Sequence, residues 1–351
     1  MTSVELHGVG GEDSLRSGGA VATRRVRVLV VTNMYPTLEH SSYGAFVATQ
    51  VRSLSAAGAE VTVEFIDGRR TAAAYALAPL RIRRLARSGR FDLVHAHYGL
   101  TGWVAGFHAL PLVVTYHGDD LLGTPRPGGR LTVKSRITRL LGQRAARRAA
   151  AVVCVSDNLR QALGRAADRA RARVIPMGVD TTVFSPGERS AARARLGLAP
   201  EARLVLFPNT PGEARKRLDL ATASVARLNA GRANARLWVV SGVPAERMPD
   251  YFRAADCLLL TSDWEGSPMV VKEALSVDLP VVSVDAGDAR FWLEQTAGCR
   301  VVARDPAAIA AAVAEVLEGP GRVDGAAVRA AVAIECVARR VLAVYREVLG
   351  A

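Results

Sequence analysis

The stretch DCLLLTSDWEGSPMVVKEAL, Asp256 to Leu275, reads as a strand, a turn and the start of a helix. Cys257 to Leu260 form a short apolar run with no polar alternation, which predicts a strand buried on both faces. Gly266, Ser267 and Pro268 then punctuate the chain. Ser267 suits an N-cap and Pro268 a first helical residue, where its missing N–H costs nothing, so Met269 and Val270 are left with unpaired amides facing outward.

The same rhythm runs along the chain. RVRVLVVT (Arg25 to Thr32), FDLVHAH (Phe91 to His97), LPLVVTYHG (Leu110 to Gly118), AAVVCVS (Ala150 to Ser156) and ARVIPMG (Ala172 to Gly178) alternate with Ala- and Arg-rich helical stretches. It restarts with ARLVLFPN (Ala202 to Asn209), ARLWVVSG (Ala235 to Gly242), DCLLLTS (Asp256 to Ser262), LPVVSVD (Leu279 to Asp285) and GCRVVA (Gly298 to Ala303). Apolar strands separated by helices predict an α/β fold of two doubly wound parallel-sheet domains, joined near Val179 to Glu188. Ligands of such sheets lie at the carboxyl ends of the strands, in the cleft between them. The expected division is a tail over 1–24, a first domain over 25–182, a second over 183–335 and a helix over 336–351 that packs back on the first.

A length of 351 residues suits two domains with their own cores. Mean hydropathy is slightly positive, yet no window approaches the roughly 18 apolar residues of a membrane span. The first 24 residues are rich in Gly, Ser and charge and lack the apolar core of a secretory signal, which predicts a disordered tail and a soluble, cytoplasmic protein. Cys154, Cys257, Cys299 and Cys336 are scattered singly, against a zinc site or disulfide framework. The net charge of +13 rests almost wholly on arginine, since only Lys134, Lys216 and Lys272 among 46 basic residues are lysines. Compositional drift towards Ala and Arg explains that balance, and with aromatics at 5% the stacking platforms of single-strand binders are missing; no nucleic-acid partner is expected.

A dinucleotide-binding oxidoreductase requires Gly-x-Gly-x-x-Gly directly after a strand. After the first strand the chain runs NMYPTLEHSSYGAF, with Gly44 its only glycine. The helix start at Ser267 to Val270 offers amides to an anion, phosphate above all. Glu265 precedes the turn, and Glu273 lies five residues beyond Pro268, about 7.5 Å along the axis. A carboxylate accepts from neighbouring hydroxyls, so a ligand with hydroxyls at both ends and phosphates between them, a nucleotide sugar, uses all three features. Spacing alone leaves a plainer reading open, in which Asp263 and Glu265 complement the helix dipole and Glu273 is solvated.

Glu265 to Glu273 resembles the E-x7-E motif of retaining glycosyltransferases of family 4, the glycosyl transferases group 1, and the likeness runs from about Arg25 to the C-terminus. DLVHAHYG, VVTYHGDD, VVCVSDNL, VIPMGVDTTVF, KRLDLA and LPVVSVDAGD occur in family order. The resemblance implies a GT-B fold of two facing Rossmann-like domains, with donor bound by the second and acceptor by the first. It implies that Glu273 holds the ribose hydroxyls, that Glu265 lies at the donor sugar, and that Gly266, Ser267, Pro268, Met269 and Val270 meet sugar and phosphate. His117, ending LPLVVTYHG, is placed beside the reacting carbon and Lys216 on the diphosphate. His95 and His97, two apart in a strand, point to one side of the sheet; His97, Asp119 and Asp120 are acceptor-side candidates, the aspartates alternatively capping the next helix. No metal and no cofactor besides the nucleotide-sugar substrate are implied.

Two departures stand out. Many relatives carry Gly-Arg after the first strand of the second domain, where this chain has Asn209 and Thr210, so Arg215 or Arg217 is expected to replace the missing arginine. The first loop has Tyr43 and Gly44 in place of paired glycines. The likeness of the first loop implies a cell-surface polysaccharide or glycolipid product, with natural-product glycosylation as the competing reading. The acceptor is then carbohydrate, lipid-linked or small. A nonhydrolysing sugar-nucleotide epimerase and a non-catalytic nucleotide-sugar-binding protein remain as alternatives. On a helical wheel of Thr71 to Ser88, Leu80 lies among Arg83, Arg84 and Arg87, which suits peripheral contact with an anionic membrane.

Overall fold

The computed structural model describes residues 24–40, 43–71, 73–124 and 130–351. All of the expected tail except Arg24 lies outside the described residues. Six parallel strands, β1 (Arg27–Thr32), β2 (Glu60–Phe65), β3 (Leu93–His97), β4 (Leu112–Tyr116), β5 (Ala151–Cys154) and β6 (Arg173–Val174), form a sheet in the order β2-β1-β3-β4-β5-β6. Five more, β7 (Arg203–Pro208), β8 (Ala235–Val240), β9 (Cys257–Leu260), β10 (Val281–Val284) and β11 (Arg300–Val302), form a second parallel sheet in the order β11-β10-β9-β7-β8. β3, β4, β9 and β10 are buried along their whole length, as continuous apolar runs require when both faces are covered.

Each sheet reverses its strand order once, between β1 and β3 in the first and between β7 and β9 in the second. A crevice opens at such a switch point. The loops leaving these four strands carry Gly44, Tyr98, Lys216 and Glu265.

Four helices of the first domain matter below: α1 (Ala45–Ala56), α2 (Ala73–Ala86), α3 (Gly99–Ala105) and α4 (Val133–Arg148). The Ile334–Leu349 helix returns to this domain after the second sheet is complete. Its Val337, Val341, Leu342, Val344 and Tyr345 share one core with Val28, Val30, Leu54, Leu93 and Val113. The crossing is pinned where Val179 N–H donates to the Val332 carbonyl at 2.7 Å and Ile334 N–H to the Val179 carbonyl at 3.1 Å.

Candidate active site

The two domains touch backbone to backbone where the loop after β4 meets the loop after β9. A Cβ placed on Gly266 stands 2.0 Å from the His117 carbonyl oxygen and 2.8 Å from Gly118 Cα, so only glycine permits this approach. Ser156 adds a hydrogen bond from its hydroxyl to the Gly266 carbonyl at 2.9 Å. Gly44 is constrained as well. At φ 71° it caps α1, and a Cβ there stands 2.3 Å from the Met34 carbonyl carbon.

Glu265 is the hub on the second domain's side. Its Oε1 accepts from Lys216 Nζ, Ser262 Oγ and Arg215 Nη1, each at 2.8 Å. Burial pushes this carboxyl up, but Lys216, Arg215 and the Ser262 hydroxyl together hold it below its ordinary value. Glu273 is the reverse case: half-buried, it accepts no side-chain or loop hydrogen bond among the described residues. Burial raises its carboxyl from 4.5 to about 7, against the pull of Lys272 and Lys216. One carboxylate carries three donors on a single oxygen, and the other, among the described residues, carries none and is open to hydroxyls.

Lys216 ends a short 3-10 turn, Ala214–Lys216, which Thr261 ties to β9 through a hydrogen bond from its hydroxyl to the Lys216 carbonyl at 2.8 Å. Of the two arginines beside it, Arg215 and not Arg217 reaches Glu265. Arg217 takes a left-handed conformation, φ 56°, and its guanidinium is committed to Asp219 at 2.8 Å and Asp263 at 3.1 Å.

The helix start differs by one residue from its reading in the sequence. Pro268 is the N-cap and the helix is Met269–Ser276, with no side-chain cap. Ser267 does not cap, because its hydroxyl donates to Asp288 Oδ2 at 2.8 Å and accepts from Lys272 Nζ at 2.6 Å. Met269 and Val270 still open the helix, so their amides remain the anion-facing groups. Lys272 and Asp288 are the residues that sequence reasoning passed over. Lys272 was signalled only by being one of three lysines in an arginine-rich chain.

Across the contact, three histidines stack in a column. His95 Nδ1 meets the Tyr345 hydroxyl at 2.6 Å and His95 Nε2 the Thr115 hydroxyl at 2.7 Å. The His95 and His97 rings lie 4.5 Å apart, and His97 Nδ1 meets His117 Nε2 at 3.0 Å. Burial lowers all three, His97 to about 3, and in His95 and His117 the neighbouring histidines add to it. The column is therefore neutral near pH 7. His97 Nε2 is buried without a hydrogen-bond partner among the described residues. One proton serves the contact between His97 Nδ1 and His117 Nε2, so one ring donates and the other accepts.

Asp120 sits beneath this edge and not in the cleft. Its carboxylate accepts from the backbone N–H groups of Gly118 at 2.9 Å and of His117 and Gly99 at 3.2 Å, fixing the loop that bears His117. Burial nevertheless lifts it to about 6. Asp119 is exposed at the same edge. Among the described residues no group of three or more His, Cys, Asp or Glu is placed to hold a metal ion.

Comparison with known proteins adds the lineage. The chain matches Glycosyltransferase Family 4 over residues 18–183 and Glycosyl transferases group 1 over residues 191–319. It is 30% identical to a D-inositol 3-phosphate glycosyltransferase of Geodermatophilus obscurus over 70% of this chain and 63% of that protein, just under two thirds of its length. A second such relative, from Catenulispora acidiphila, is 28% identical over 71% of this chain and 68% of its own. Among solved structures, a sucrose-phosphate synthase of Thermosynechococcus elongatus superposes with a TM-score of 0.77 at 18% identity, covering 93% of this chain and 100% of that one. HepE of Anabaena in complex with UDP does so with a TM-score of 0.65 at 17% identity, covering 92% and 100%. At those identities the two structures bear on the fold alone. Two facing parallel sheets, each under its own family match, make the chain a member of the family 4, group 1 glycosyltransferases with the GT-B fold.

Proposed function

We propose that this protein moves a hexose-type sugar from a nucleoside-diphosphate sugar to an acceptor hydroxyl with retention of configuration. The observation that carries this reading is the asymmetry of the two glutamates around one helix start. Glu273 is open to a ribose diol, the amides of Met269 and Val270 with Lys216 and Arg215 suit a diphosphate, and Glu265 is fixed next to Gly266, which abuts the His117 carbonyl. In the transfer, the bond between the anomeric carbon and the phosphate oxygen breaks on the face where the acceptor oxygen bonds. The acceptor proton passes to the departing phosphate. The protein's share is charge stabilisation of the leaving diphosphate and orientation in a closed cleft.

The relative solved with UDP makes uridine sugars the first donors to try. Thermal-shift screening of UDP-, GDP- and ADP-sugars, followed by product analysis with simple sugar and lipid-linked acceptors, tests the reading. A donor at 100-fold its dissociation constant adds about 2.7 kcal/mol of stability. Absence of any shift overturns the reading, and a product of inverted configuration overturns retention. Interconversion of donor without acceptor favours an epimerase.

The product is proposed to be a cell-surface polysaccharide or glycolipid, made at the inner face of a membrane. No helix among the described residues is long and apolar enough to cross one. The support for surface contact is a set of exposed apolar residues on and beside α2, α3 and α4, helices that pack side by side. Leu77 and Leu80 on α2, Phe107 just after α3, and Val133, Ile137 and Leu140 on α4 are all exposed. Val133, Ile137 and Leu140 form a stripe at helical spacing, while α4 carries Lys134, Arg136, Arg139, Arg144, Arg147 and Arg148 with no carboxylate. A cationic helix with an outward apolar stripe suits an anionic lipid surface. Co-sedimentation with phosphatidylglycerol vesicles is expected to exceed that with phosphatidylcholine and to fall several-fold in Ile137→Asn/Leu140→Asn. Sedimentation indifferent to lipid charge and to the double substitution overturns this contact.

A further inference from the structure

Lys272 breaks two local rules. Its side chain is fully buried, and it stands four residues into the Met269–Ser276 helix, reaching back to the helix end that repels a cation. The ammonium is held without being tightly neutralised. Nζ donates to the Ser267 hydroxyl at 2.6 Å and the Pro268 carbonyl at 3.4 Å, while Asp288 Oδ1 stands off at 3.7 Å. Asp288, itself 8% exposed, spends Oδ2 on the Ser267 hydroxyl at 2.8 Å and the Trp292 indole N–H at 2.9 Å. Its Oδ1 has no hydrogen bond among the described residues. A buried ion pair this loose is a poor stabiliser, and such a breach of local rules points to a functional demand.

That demand is charge. Arg215 and Lys216 share one carboxylate, Glu265, and Arg217 is spent on Asp219 and Asp263. Little positive charge is left over for a diphosphate. Ser267 is also fully committed, its only proton on Asp288 and a lone pair on Lys272, so the turn it belongs to is rigid and its hydroxyl has nothing to donate to a ligand.

Building on the donor site described above, we propose that Lys272 is a positioning residue of that site: with Asp288 it locks the turn from Ser267 to Met269, and its ammonium adds charge for the diphosphate from beneath the helix start. The amides of Met269 and Val270 then present themselves to the phosphate in a field that already favours it.

Titration calorimetry of the intact protein with UDP, GDP and ADP first selects the diphosphate bound most tightly. Lys272→Met, Asp288→Asn and the double variant are then compared with the parent, each with a thermal melt. The double variant removes both buried charges and is expected to regain most of the melting temperature lost by Lys272→Met. Its diphosphate affinity is expected to stay about ten-fold or more below the parent's. Asp288→Asn alone, which keeps the ammonium and an acceptor oxygen for Ser267, is expected to lose several-fold less affinity than Lys272→Met. If affinity returns together with stability in the double variant, or if both single variants weaken binding alike, Lys272 is only a structural partner and the proposal falls. A parent that binds none of the three diphosphates overturns the donor-site reading itself.

Discussion

Three donors directed at Glu265 hold its carboxyl below its ordinary value, whereas Glu273 has no such donor among the described residues and is pushed the other way. In the folded chain Glu273 titrates near 7 against an ordinary 4.5. The folded state holds that proton more tightly than the unfolded one, so the stability it contributes is full below about pH 4.5 and is lost as pH rises through 7. Glu273→Gln has no such loss. Its melting temperature is expected to match the parent's near pH 5 and to exceed it by about 2 °C or more at pH 8. The same substitution is expected to cost nucleoside diphosphate binding about 1–3 kcal/mol and to erase the preference for ribose over 2′-deoxyribose. Glu265→Gln is expected to leave that affinity nearly unchanged and to lower turnover of the intact donor sugar. Calorimetry and melts across pH check the pair, and two variants indistinguishable from the parent would make both carboxylates mere surface charge.

The elements that hold these residues differ in how openly the sequence declares them. β3 carries His95 and His97, and the edge strands β8 and β11 expose Arg236 and Arg300. β1, β4, β5, β7, β9 and β10 stand out as largely apolar runs, because a strand covered on both faces has little place for polar residues. β2 does not. Its EVTVEF alternates, since Glu60 and Glu64 point away from the core at the sheet edge. The helix start after β9 is legible to within one residue, yet the partner of Ser267 is not, because Asp288 comes from the loop after β10 and only the tertiary fold brings it near. Arg215 and Arg217 look interchangeable in the sequence, and the left-handed turn at Arg217 decides between them. The contact of Gly266 with His117 is likewise a property of two elements and not of either motif. In Gly266→Ala the new methyl collides with the His117 carbonyl, so the domains are held apart. Turnover is expected to fall about 100-fold or more while nucleoside diphosphate affinity stays within about three-fold, since proximity and orientation are lost and the binding surface is kept. A variant with parental turnover would mean that this contact does not form during the reaction.

Across the whole molecule the two switch points face each other, which brings β1, β3, β7 and β9 to one crevice. The Ile334–Leu349 helix ties the assembly together, since Tyr345 reaches His95 at the foot of the histidine column. Tyr345→Phe leaves His95 Nδ1 without a partner in a buried site, at a cost of about 1–3 kcal/mol. The melting temperature is expected to drop by a few degrees, with turnover falling as His117 loses its support. An unchanged melt would show that water takes over the hydroxyl's place. The return of this helix also dictates an order of assembly during synthesis. Strands β1 to β6 leave the ribosome long before residues 334–349, and until those residues arrive one face of their sheet, with Val28, Val30, Leu93 and Val113, is covered only in part, by Val51 and Leu54 of α1. The domain that is translated first is therefore completed last, and during the interval the nascent chain carries a sticky β-surface that a ribosome-bound chaperone is suited to shield.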